Sequence, residues 1–210
     1  FCATEQSIPQ AEEVLDEIMT RKLAIQWTGY IRIENLSFSF IKKALASGIT
    51  SFNLSFSGSQ DVIDQLRLGY RLEKQLETFQ MIKKAGFSNQ QIKLYLPLNA
   101  PGETSETLLE TIRVCQRLDQ LFGEAGVEPW IFFLGIQPKT LLEKYALETG
   151  YLKPDYDPLT RNPFLIKRLL YNPPPLGKII ARAYLEAQMK NPTQVGKETL
   201  KILEKKLVGE

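Results

Sequence analysis

The chain has 210 residues, 43% of them hydrophobic, which is enough to bury one sizeable core in one or two domains. Its 26 basic and 24 acidic residues leave a net charge of +2, too little for a broad polyanion footprint, so nucleic acid is excluded as a partner. Histidine is absent, which excludes histidine-ligated zinc and Ser-His or Cys-His catalysis.

The first residues, "FCATEQS", lack an initiator methionine and read as part of a longer polypeptide. "SIPQAEEVLDEIMTRKL" predicts a helix. Ser7 is its candidate N-cap, with Gln10 three residues on and Pro9 in the first turn, and Ala11, Val14, Leu15, Ile18 and Met19 form its buried stripe. A strand is expected over about 24–33, then a helix in "SFSFIKKALASG", with Ser37 as cap and Gly48 as stop. A second strand over about 50–57 precedes a helix over about 70–85. That helix turns Leu72, Leu76, Phe79 and Ile82 inward and ends at Gly86. A third strand, about 92–99, runs into Asn99-Ala100-Pro101-Gly102-Glu103-Thr104. The helix that follows carries Leu108, Ile112, Cys115 and Phe122 on one face, and a fourth strand is expected over about 129–136. Strand and helix in alternation predict right-handed βαβ units around a parallel sheet.

Beyond about residue 150 the character changes. "YLKPDYDPLTRNPFLIKRLLYNPPPLGK" is rich in proline and turns, and is expected to lie over the core without adding strands or to bind a partner. The prolines at 173–175 suit an extended polyproline segment, and helices are expected over about 175–190 and 196–207. The division is therefore 1–150 for the βα part and 151–210 for a Pro-rich helical extension. No apolar run reaches the roughly 18 residues of a membrane span, and no signal peptide is visible. Two cysteines, Cys2 and Cys115, are too few for a disulfide scaffold and suit a reducing compartment. The expectation is a cytoplasmic protein without a transmembrane segment.

Buried parallel strands usually read as continuous apolar runs. Here Phe52, Leu54 and Phe56 alternate with Ser51, Asn53, Ser55 and Ser57, while Ile92, Leu94, Leu96 and Leu98 alternate with Lys93, Tyr95, Pro97 and Asn99. Ile25, Trp27, Ile31 and Ile33 alternate with Gln26, Thr28, Tyr30 and Arg32. Successive side chains of a strand point to opposite faces, so one face meets helices and the other is polar. In a barrel the polar face is a ligand-lined lumen; in an open sheet it is simply wet. Ligands of parallel α/β folds sit at the C-terminal strand ends, here 32–35, 57–59, 99–103 and 135–137.

Those strand ends resemble the radical S-adenosylmethionine superfamily, in particular its cobalamin-binding branch. The carriers are Asn99-Ala100-Pro101-Gly102-Glu103-Thr104, where the family has a Gly-Leu-Pro-Gly-Glu-Thr-like stretch, and Ser57-Gly58-Ser59-Gln60, where it has a Glu-Ser-Gly-Ser-like turn. Trp27 and Arg32 on an earlier strand, Leu68-Gly69-Tyr70, "GIQPKTLLEKYALETGYL" and "FCATEQSIPQ" match in the family's order, covering about 1–150. The departures are equally specific. The Cys-x-x-x-Cys-x-x-Cys cluster motif is absent and would lie upstream of Phe1. Phe56 stands where the family often has glutamate, and Asn99 and Lys139 replace glycines.

The resemblance implies a fragment of a (β/α)6 partial TIM-like barrel with parallel strands, plus the Pro-rich extension. The parent would be an iron–sulfur oxidoreductase using S-adenosylmethionine, a [4Fe–4S] cluster and, in this branch, cobalamin from an upstream domain. Radical chemistry on a small-molecule substrate, methyl transfer or cyclisation would follow, with the rest of the parent polypeptide as partner. Two cysteines cannot hold the cluster, so the segment alone is expected to be inactive.

Candidate cofactor-binding residues are Arg32, Asn53, Ser55, Ser57, Gly58, Ser59, Asn99 and Glu103. Arg32 suits a carboxylate, or else an ion pair with Glu34. The serines and Asn53 suit the ribose or methionyl part, or else turn capping. Gly58 allows close approach to a ligand or makes a tight turn. Glu103 organises a ligand, or only complements the helix dipole beside the cap Thr104. Cys115 reads as core, Cys2 as a possible lining residue, and Tyr30 and Tyr95 as substrate contacts, relays or packing. Two rival readings stay open: a degenerate non-catalytic barrel serving binding or assembly, and an ordinary βα-barrel enzyme using Glu103 or Lys93 as acid or base.

Overall fold

A computed structural model of the chain describes residues 6–32, 34, 36–123 and 125–209; Cys2, Ile33 and Asn35, each assigned a place above, lie outside them. Helix α1 (Ile8–Thr20) leads into strand β1 (Trp27–Tyr30), helix α2 (Phe38–Ala46) and strand β2 (Ile49–Ser55). Two helices, α3 (Gln60–Gln65) and α4 (Leu72–Lys84), precede strand β3 (Gln91–Pro97), then helix α5 (Ser105–Phe122) and strand β4 (Val127–Phe132) follow. Two of the expected caps form, with the Ser37 hydroxyl accepting from Phe40 N–H and Thr104 in a reciprocal capping box with Thr107, while Ser7 stands at the N-cap of α1 without a side-chain cap bond.

The protein is α/β, with a parallel four-stranded sheet in the order β1-β2-β3-β4. Register explains the two faces. Phe52 pairs with Ile92, and Leu54 with Leu94, which faces Pro129 on β4. This row is buried with Phe40 and Ile41 of α2, Phe79 and Ile82 of α4, and Leu108 and Ile112 of α5 in the main core. The opposite row pairs Asn53 with Lys93 and Glu128, and Ser55 with Tyr95 and Trp130. A side-chain period of two puts every one of those residues on the face away from the helices.

Two strands differ from the sequence reading. The first is shorter than 24–33: Ile25 N–H bonds Leu23 C=O in a tight turn, and Ile25 is exposed rather than a ladder member. Gly48 sits against that turn, at φ +95, where an added Cβ would lie 2.3 Å from Ile25 O. The fourth is split. β4 ends at Phe132 opposite Pro97, and Leu134–Gly135 (β5) turns away to pair elsewhere.

Its partner lies in the Pro-rich segment. Helix α6 (Leu141–Glu148), a short helix α7 (Pro163–Ile166) and a 3-10 turn (Lys167–Leu169) lead to β6 (Leu170–Tyr171), antiparallel to β5. The segment therefore does add a strand, contrary to expectation, because Ile136, Ala146, Leu152 and Tyr171 make a second small cluster that β5 and β6 close. Pro173 C=O accepts from Gly177 N–H and Pro175 has helical φ and ψ, so the proline triplet curls into the next helix instead of extending. That helix, α8 (Leu176–Lys190), and α9 (Val195–Val208) bring Ile180, Ala183, Leu200 and Leu203 into the main core. α9 is fastened to α5 by Lys197–Asp119 (2.8 Å) and Gln116–Glu204 (2.7 Å). Among the described residues no helix is long and apolar enough to cross a membrane.

Candidate functional site

The C-terminal ends of β1, β2 and β3 carry the candidate residues, and the structure sorts them into those on the open face and those turned into the fold. On the sheet face away from the helices, Asn53 is itself buried, at 7% exposed, and holds a chain across strands: Ser51 Oγ donates to Asn53 Oδ1 (3.0 Å), and Asn53 Nδ2 donates to Thr28 Oγ1 (3.0 Å). Ser55, one turn of the pleat further along, is exposed. Arg32, just past β1, is exposed and already paired. Its guanidinium donates to Glu34 Oε1 at 2.6 Å and to Leu68 C=O at 3.3 Å, so the ion-pair alternative is the one realised in this structure.

Ser57, Gly58 and Ser59 are turned inward. Ser57 and Ser59 are buried, and the Ser57 hydroxyl donates to Ser59 C=O (3.5 Å) and accepts from Ser59 N–H (3.4 Å), both loosely. Ser59 Oγ is a fully buried hydroxyl without a hydrogen-bond partner. Gly58 is neither a ligand cradle nor a positive-φ turn here: an added Cβ would stand 2.5 Å from Thr111 Cα of α5, and Gly58 N–H donates to Thr111 Oγ1 (3.2 Å). Glycine at this position lets a helix backbone approach a strand end. Close by, burial pushes the Tyr70 hydroxyl up to about 12, the Glu34 carboxylate adding to the effect.

The β3 end is a clamp. The Glu103 carboxylate accepts from Asn99 N–H and from Ala100 N–H (3.3 Å), folding the turn back on itself. Burial is the largest influence on Glu103 and raises its carboxyl to about 7, against the pull of those two N–H groups. Asn99 is 3% exposed, and its amide donates to Asn172 Oδ1 (2.7 Å) and Pro173 C=O (2.9 Å). Asn172 in turn donates to Gly177 C=O (3.2 Å), so the Pro-rich segment is latched to the end of β3. The expected separation of this strand end holds for Leu96 and Leu98, both in the core, but Asn99 meets the Pro-rich segment instead of a lumen.

Asn99 and Lys139, the two residues that stand where the family resemblance has glycines, adopt left-handed φ of +60° and +64°. Each gives its N–H to a glutamate four residues on, Glu103 and Glu143, and each precedes a threonine-capped helix. Left-handed backbone is a conformation that glycine takes freely and other residues take at some cost.

The open face also carries an aromatic row whose full extent the alternation did not reveal. Tyr30 OH donates to Tyr95 OH (2.9 Å), with ring centroids 5.2 Å apart, and Tyr95 stacks on Trp130 at 5.8 Å. Lys93 Nζ lies 5.5 Å from the Trp130 ring and 3.8 Å from Glu128. Tyr30 is 54% exposed and Trp130 46%. The Tyr95 hydroxyl is pushed up to about 12 by desolvation and by its bond to Tyr30. Trp130 was findable, since its strand was expected; Thr28 follows from the same alternation. Thr111 and Asn172 had no local signal, because each acts on a residue 53 or more positions away.

Among the described residues no group of three or more cysteine, aspartate or glutamate side chains is arranged to hold a metal. Cys115 is buried in the α5 stripe, and burial raises its thiol to about 12. That environment suits a packing residue and opposes a thiolate ligand. No protein-family profile matches the chain, and no curated protein matches it significantly.

Proposed function

We propose that this chain is part of a radical S-adenosylmethionine-type (β/α) partial barrel whose polar sheet face receives the methionyl and ribose groups of that cofactor. The observation that carries the reading is the left-handed backbone at Asn99 and Lys139, where the resembled motifs have glycine. Lys22 and Arg67, outside the resembled motifs, are left-handed too, so the support lies in the placement: both motif positions hold that backbone, each before a threonine-capped helix. The one-sided helix layer over a sequentially ordered parallel sheet supports the same reading, since a barrel arc leaves its other face for a lumen.

The residues present do not fit a [4Fe–4S] cluster: Cys115 is buried in the core, and one further cysteine makes too few thiolates. No step through a cluster, or through cobalamin, is derived from this chain. For S-adenosylmethionine the fit lies on the open face. Bound there, the cofactor would supply the family's hydrogen-abstraction or methyl-transfer chemistry. Ser55, exposed, would meet its hydroxyls; Asn53, buried, would do so by giving up its bonds to Ser51 and Thr28, and Arg32 would exchange Glu34 for its carboxylate. Ser57, Gly58, Ser59, Asn99 and Glu103 would support that face by holding the strand ends against α5 and the Pro-rich segment. Tyr30, Tyr95 and Trp130 would offer the substrate an aromatic wall.

Calorimetric titration of the chain with S-adenosylmethionine tests the reading. Saturable binding is expected, weakened about tenfold or more by Arg32→Ala through loss of a charge-assisted bond. Silence in the titration, or affinity indifferent to Arg32, refutes it. A second reading, a binding or assembly module without catalysis, is favoured by one observation: the polar groups of Asn99 and Glu103 are spent on internal bonds. A silent titration is its expected outcome.

A further inference from the structure

Residues 159–170 hold the most exposed large apolar side chains outside the helices of the core. Every residue from 161 to 168 is exposed. Leu159 is 83% exposed and Phe164 75%, with Leu165, Ile166 and Leu170 open beside them. The tip is nevertheless a built turn. Asn162 Oδ1 accepts from Phe164 N–H (2.9 Å) to cap α7, and Asp157 Oδ1 accepts from Leu159 N–H (2.9 Å). An ordered projection that presents phenylalanine and leucine to water marks a contact surface.

Charge indicates the contact. The chain as a whole is nearly neutral, yet residues 158–185 contain Arg161, Lys167, Arg168, Lys178 and Arg182 and no acidic residue. Among the described residues none of the three tip cations, Arg161, Lys167 and Arg168, enters an ion pair. Asp155 and Asp157 line a cavity of about 540 Å³ together with Leu165, Lys167 and Arg168, without an ion pair to either cation. An apolar tip whose cations form no ion pair matches an anionic bilayer surface, where apolar side chains enter the acyl boundary and cations stay at phosphate level.

We propose that residues 159–170 dock this chain on an anionic phospholipid surface as a peripheral contact that does not span it. The proposal is independent of the S-adenosylmethionine reading. Co-sedimentation of the whole chain with phosphatidylglycerol and with phosphatidylcholine vesicles tests it. Binding to phosphatidylglycerol alone is expected, falling as salt screens the cations. The double neutralisation K167Q/R168Q should weaken it about 30-fold, at about fivefold per charge, and Phe164→Ala about tenfold or more. Both sites are exposed, so unfolding midpoints should not move. Met189→Gln, on the exposed side of α8, should leave binding unchanged. No binding to phosphatidylglycerol, equal binding to phosphatidylcholine, or equal loss from Met189→Gln overturns the proposal. So does a self-associated species that Phe164→Asp dissolves while vesicle binding persists, because the tip then joins copies of this chain.

Discussion

Replacing Glu103 by glutamine removes a charge while keeping an acceptor for the Asn99 and Ala100 N–H groups, and this separates the two halves of the clamp. In the folded protein burial raises the Glu103 carboxyl from 4.5 to about 7. Between those values the folded state holds a proton that the unfolded state has released, so stability falls as pH rises. The loss begins near pH 4.5 and is complete above pH 7. At 1.36 kcal/mol per unit it comes to about 3 kcal/mol, or roughly 6–12 °C in Tm for a chain of this size. Glutamine has no such titration. Urea unfolding followed by circular dichroism, for both proteins from pH 4.5 to 8, gives the difference directly. The variant should match the wild type at the acid end and exceed it by about 3 kcal/mol at pH 8. Glu103→Ala should be less stable than the glutamine variant throughout, since each buried N–H left without an acceptor costs about 1–3 kcal/mol. A difference that stays flat with pH, or a glutamine variant that loses most at pH 8, refutes this account. The second outcome would mean that the turn needs the ionised carboxylate.

Gly58→Ala places a methyl group 2.5 Å from the Thr111 backbone and should cost about 1–3 kcal/mol in urea unfolding; an unchanged midpoint would remove the close approach from the explanation. Asn99→Ala and Asn172→Ala share one latch, so a double-mutant cycle should show about 0.5–3 kcal/mol of coupling. Either single change should also speed proteolysis within 150–175, and additive losses would place the two asparagines in separate roles.

The sequence carried the helices and the parallel sheet because their causes are local. Ser37 and Thr104 cap what they were expected to cap, and the alternation Phe52, Leu54 against Ser51, Asn53 separated the two faces before any partner was known. Cys115 in the core follows from helical spacing alone. Boundaries failed where a non-neighbour decided them: Gly48 beneath the Ile25 turn shortened β1, and Tyr171 drew Leu134 away from β4.

At the candidate site the division is sharper. Residue type located Asn99, Glu103, Gly58 and Arg32 at strand ends, because turns and strand ends are written in a few adjacent residues. It left open whether each faced a ligand or the protein. Tertiary structure set their present partners: Asn172 for Asn99, Thr111 for Gly58, Glu34 for Arg32. Polar side chains can satisfy their hydrogen bonds with water, ligand or protein equally well, so their identity alone does not choose among the three. The choice depends on what the fold brings within about 3 Å, and for Asn99 that is a proline-rich segment more than seventy residues away.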